Sequence, residues 1–178
     1  MGAYRLDETK ELALYTWVYG ILGITTIWDK SNAPRPVLPY ATLNISGGGK
    51  KEGEPEERYK ELDTWTYPMR KVLTLTVNIF AEEGHLAYGD GLVNSLSLPT
   101  VQDTLRAAGF AIRRSSDVMD ISRLLDTKYE LRAGVDIFLA YETDVDDVPG
   151  EIHRATVTEA IVSEGSNTHE FDIDVDIT

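Results

Sequence analysis

Asp172, Asp174 and Asp176 are the residues of this chain whose type and spacing most directly suggest chemistry. They alternate with Phe171, Ile173, Val175 and Ile177, so in an extended strand the acids share one face and the apolar side chains the other. Successive carboxylates in such a row stand roughly 6.5–7 Å apart. In water each pair repels by only about 0.6 kcal/mol, so a solvated row is tolerable. Three uses of the row are open at this level. It suits a solvated outer face that discourages stray strand pairing, or a negative wall turned towards a cavity or partner. It also offers hard oxygen ligands for calcium or magnesium, although a flat strand does not wrap a cation as a loop does. The row closes an acidic region. Residues 142–178 carry eleven Asp or Glu against one cation, Arg154, a net charge of −10 out of −13 for the whole chain.

Other reactive constellations are missing from the sequence. His85, His153 and His169 are far apart, and none belongs to a His-Glu-x-x-His or comparable metal pattern. There is no Gly-x-Ser-x-Gly elbow, and no Gly-x-Gly-x-x-Gly joins a strand to a helix. Gly47-Gly-Gly-Lys-Lys51 has glycines followed by lysines but lacks the spacing of a phosphate loop. With zero cysteines there are no disulfides, cysteine zinc sites or thiol chemistry. A pI of about 4.6 argues against ordinary nucleic-acid binding, which needs cations to displace counterions from phosphates. No run of eighteen apolar residues is present to span a membrane. The expectation is a protein without catalysis, metal or cofactor. An acidic, metal-dependent hydrolase using the last strand is the alternative of another class.

The elements that would position these residues can be read from periodicity. Residues 7–22 predict a helix, with Leu14, Trp17, Val18, Ile21 and Leu22 on one side, Asp7 as cap and Gly23 as stop. Its other side carries Leu12, Tyr15 and Tyr19, which suits either a helix sandwiched in its own domain or a second face docked on another subunit. A short strand at 24–28 leads into Asn32-Ala-Pro-Arg-Pro-Val-Leu-Pro-Tyr40, whose prolines make a stiff extended connector. Strands are expected at 40–46 and 70–80, the second with Leu73, Leu75, Val77 and Ile79 inward and Thr74, Thr76 and Asn78 outward. Between them, residues 47–58 contain no apolar side chain and predict a mobile loop. Residues 59–67 should pair with the following strand through a turn at Pro68. Helical segments at 84–96 and 99–108 follow, stopped by Gly109. Strands return at 110–114, 118–124 and 129–141, and an acidic strand pair closes the chain at about 152–177. Helices gathered between runs of strands predict one α+β domain over 1–178, with helices on one face of a mixed, largely antiparallel sheet.

Asn32-Ala-Pro-Arg-Pro-Val-Leu-Pro-Tyr-Ala-Thr-Leu43 after an amphipathic helix, then Ala107-Ala-Gly-Phe110, Val118-Met-Asp-Ile-Ser122 and Tyr129-Glu-Leu-Arg-Ala-Gly-Val-Asp136, resemble the tail terminator (neck, tail-completion) proteins of tailed bacteriophages. The likeness runs in order from about Asp7 to Tyr141, and the Pro-Arg-Pro…Pro-Tyr and Tyr-Glu-x-Arg-Ala elements are its most specific parts. The resemblance implies a hexameric ring, assembled in the bacterial cytoplasm, that caps the tail tube and stops its growth. It also implies a surface for the head-completion or connector protein, and no membrane contact. Another neck, connector or baseplate component is the nearest alternative. On the matched positions, Glu130 and Arg132 share one strand face and could pair across a subunit boundary or within the chain. In a ring, Asp172, Asp174 and Asp176 turned to the channel would form a negative belt that DNA passes without sticking.

Overall fold

The computed structural model describes residues 6–31, 34–53, 59–61, 64–125 and 128–147. The acidic strand pair expected at 152–177, and with it Asp172, Asp174 and Asp176, lies outside the described residues.

Helix α1 (Glu8–Leu22) starts where Asp7 accepts a hydrogen bond from the Thr9 amide at 3.2 Å. It ends at Gly23, whose φ of 63° suits a residue without a Cβ and whose amide donates to the Tyr19 carbonyl. Strand β1 (Thr25–Trp28) follows, then the proline connector, then β2 (Tyr40–Lys51), β3 (Tyr59–Glu61) and β4 (Thr64–Ala81). Helices α2 (His85–Ser95) and α3 (Pro99–Ala107) come next, with Pro99 in the first helical turn where its missing amide costs nothing. Gly109, at φ 82°, releases the chain into β5 (Phe110–Ser115), and β6 (Met119–Asp120), β7 (Arg123–Leu125) and β8 (Lys128–Asp147) complete the described chain.

The sheet runs β1-β2-β4-β8-β5, with β3 on β4 and with β6 and β7 on β8. Among the described residues only β1–β2 is parallel and every other pair is antiparallel, so the mixed, largely antiparallel α+β architecture expected from the sequence is the one observed. Register aligns the apolar alternation across strands: Leu43 lies opposite Val77, and Val77 opposite Val135. Leu75 lies opposite Ile137, and Leu73 opposite Leu139. These residues are buried, and Leu14, Trp17 and Val18 of α1, Leu92 of α2 and Val101 and Leu105 of α3 join them in one core. Each fully buried aliphatic side chain of this set contributes about 1.5–3 kcal/mol relative to exposure. The other sheet face carries polar side chains at its centre: the Thr76 hydroxyl donates to Asp136 at 2.6 Å, and the Asp136 amide donates to the Ser116 hydroxyl.

Two expectations need correction. Pro68 is no turn but lies inside β4, opposite Asp144. On the other flank, β2 pairing ends at Lys71 and β3 pairing stops at Thr66, so among the described residues no strand is paired with Pro68 on the side where its amide donor is missing. Strand β3 pairs instead with the start of β4, Glu61 opposite Thr64. Strand β2 also runs on to Lys51, through the first part of the segment expected as a loop, after a register shift between Ser46 and Lys50. Pairing needs backbone groups only, and the long β4 provides them; the bulge absorbs the glycine run. Residues 54–58 of that segment lie outside the described residues.

Candidate assembly surface

The two sequence elements with the most distinctive spacing meet in space. Arg35 stands between Pro34 and Pro36, which fix its backbone before any contact is made. Its guanidinium lies 5.5 Å from the ring centroid of Tyr40 and 5.7 Å from that of Phe80. Those rings are cross-strand neighbours, stacked at 4.5 Å with a 7° interplanar angle. From the other side, Arg132 sits 4.7 Å over Phe80. Between the two cations is Glu130, whose side chain is 7% exposed and which pairs with both Arg35 and Arg132. The Arg132 Nε donates to its carboxylate at 2.7 Å. A carboxylate this buried is tolerable only because both oxygens are engaged.

Glu130 and Arg132 are therefore brought together by the fold, and the pairing it displays is within the chain. Arg35 and Tyr40, from the Pro-Arg-Pro…Pro-Tyr element, complete the cluster with Phe80, a residue that no motif of the sequence marks. The available signal was an arginine held between two prolines, a costly way to place a residue that touches nothing.

The cluster sits at the root of the β7–β8 hairpin, where hydrogen bonds tie the chain down. The Ser122 hydroxyl and amide both donate to Asp120, at 2.5 and 3.0 Å, while the Arg132 amide donates to the Ser122 hydroxyl. These two Ser122 bonds hold the Asp120 carboxyl below its ordinary range, against an opposing effect of desolvation and with a lesser contribution from nearby His85. His85 Nε2 lies 3.5 Å from Asp120 as an electrostatic contact, and neither ring nitrogen has a hydrogen-bond partner among the described residues.

Beyond this root the surface is apolar. Met119, Ile121, Leu124, Leu125 and Tyr129 are all exposed, Tyr129 at 69%, with Val37 of the connector and Leu86 of α2 at the same end. Leu124 and Tyr129 lie opposite each other across the hairpin, and exposed apolar side chains grouped in this way suit contact with another protein. Helix α1 adds a second patch. Leu12 and Tyr19 are 61% and 50% exposed, so among the described residues nothing covers this side of α1.

At the far end of β8, a shallow cleft of about 450 Å³ is lined by Arg70, Arg106, Arg113, Glu52 and Glu142. Its charges pair off, Arg113 with Glu52, Arg70 with Glu142 at 3.4 Å and Arg106 with Asp103 at 2.7 Å. These half-exposed pairs are worth little and leave no concentrated positive site. Among the described residues no group of three His, Asp or Glu side chains is placed to hold a metal. Nor is any described helix long and apolar enough to cross a membrane.

An α+β domain whose cleft charges pair off and whose hairpin and first helix expose apolar side chains suits a protein that works in contact with others. The sequence model of the phage neck terminator protein family matches residues 11–166, and the chain belongs to that family. It is thus a structural protein of the phage neck, working in contact with other tail and head proteins. No curated protein matches the chain.

Proposed function

We propose that six copies of this chain close into a ring that caps the tail tube, ends its polymerisation and joins it to the head-completion or connector protein. The observation that carries the reading is the combination of family membership over residues 11–166 with an exposed apolar end that a lone subunit leaves in water. The chain then acts by geometry, without turning over a substrate. Glu130 and Arg132 serve from inside the subunit by holding the connector and the hairpin root at the boundary. Asp172, Asp174 and Asp176 face the channel as a negative belt, supported by the −10 charge of residues 142–178 and by the repulsion such a belt exerts on DNA.

The test is an assembly reaction with purified tail tube protein. Adding this chain should stop tube elongation and leave a ring at one tube end. Tubes that keep lengthening at saturating protein contradict the reading. Imaging of the capped end that puts Asp172, Asp174 and Asp176 on the outer rim removes the channel belt.

A further inference from the structure

The sheet face that carries the core does not end where the helices end. Ala133 and Val135 of β8 are fully buried beneath the helix layer. Tyr129 lies on the same face of the same strand and is 69% exposed, and its cross-strand partner Leu124 is 57% exposed. The β7–β8 hairpin thus extends an apolar face with no described helix over it, and a two-stranded hairpin gains little stability alone.

Helix α1 has the converse problem. Leu14, Trp17, Val18 and Leu22 fill the core, yet the opposite stripe of Leu12, Thr16, Tyr19 and Gly20 is exposed. The Tyr15 and Tyr19 rings stack in parallel at 6.0 Å, and a Cβ at Gly20 would meet nothing within 4 Å. A helix with apolar side chains on two sides is normally covered on both.

We propose that α1 of one subunit packs its outer stripe over the Leu124–Tyr129 overhang of the next, so that the neighbour's helix continues the helix layer. This names the subunit contact of the ring and rests on the ring reading above. Two different patches meeting head to tail are what a closed ring of more than two copies requires, whereas a twofold contact joins a patch to itself. Charge is complementary: Arg123 and Lys128 flank the overhang without an ion-pair partner among the described residues, and Glu8 stands one turn from Leu12 at the start of α1.

The test is native mass spectrometry of the full chain as wild type and as Gly20→Arg, Leu124→Asp, Arg123→Glu and Arg123→Glu/Glu8→Lys. Gly20→Arg should unfold at or above the wild-type temperature, because it replaces a helix glycine in open space. Both Gly20→Arg and Leu124→Asp should nevertheless weaken self-association by about tenfold or more. Arg123→Glu should weaken it less, and adding Glu8→Lys should recover it. Wild-type assembly with unimpaired Gly20→Arg and Leu124→Asp variants overturns this contact and leaves the ring reading standing. Leu124→Asp rings that form normally but no longer hold the tail tube assign the overhang to that partner and also overturn it. A wild type that never assembles, even with tail tube present, overturns the ring reading and this contact with it.

Discussion

Arg35 of the proline connector and Glu130 at the root of the β7–β8 hairpin form an ion pair that joins segments far apart in the chain. The pair closes over the Tyr40–Phe80 stack and is completed by Arg132. One buried carboxylate therefore fixes the course of the connector and the base of the hairpin together.

Removing that carboxylate should cost more than a surface pair would. Glu130→Ala leaves two arginines facing each other across an apolar ring, and Arg35 is half exposed, so the loss is reduced from that of a fully buried pair. We expect about 2 kcal/mol, which for a chain of this size is a fall of about 4–8 °C in the melting temperature. Thermal unfolding by circular dichroism measures it. An unchanged melting temperature would show that the connector is held by other contacts.

Two glycines of the helices should respond oppositely to alanine. A Cβ at Gly89 would lie 2.6 Å from Val118 Cγ1, so Gly89→Ala should destabilise by about 1–3 kcal/mol despite alanine's better helix propensity. Trimming the neighbour with Val118→Ala should recover much of the loss. Gly20→Ala enters open space and should stabilise by about 0.5–1 kcal/mol. Urea unfolding of the variants decides both.

Leu75 is fully buried and lies opposite both Ile45 and Ile137 at the centre of the sheet. Leu75→Ala should cost about 2–5 kcal/mol through lost burial and the cavity left behind. A smaller value would mean that the three strands can collapse around the site.

The Asp120 carboxyl is held below its ordinary range mainly by the Ser122 hydroxyl and amide. Because the folded-state value is depressed, the stabilisation it reports is present above the unfolded value and fades as pH falls through the lower folded one. An NMR titration of Asp120 should therefore end below the ordinary aspartate midpoint, and Ser122→Ala should move it upward. A titration indifferent to Ser122→Ala would assign the shift to His85.

Much of this fold is legible in the sequence where local chemistry decides. Asp7 and Gly23 mark the ends of α1, and Pro99 and Gly109 mark the start and end of the α3 region. The alternation of Leu73, Leu75, Val77 and Ile79 matches their burial in β4. What escaped depends on a distant partner. Pro68 reads as a turn until β4 is seen to run through it and pair with Asp144 of β8, and Gly47-Gly-Gly reads as a loop until β4 supplies a backbone to pair with. The connector's arginine shows its purpose only beside Glu130. Likewise, the outer stripe of α1 is visible as apolar residues, but only burial shows that Leu12 and Tyr19 are left uncovered.

Native mass spectrometry of the wild-type chain across a concentration series, alone and with tail tube protein, tests the central claim most directly. The account predicts a species of six copies that grows with concentration or appears on the tube. A chain that stays monomeric throughout, or that stops at a twofold dimer, contradicts it.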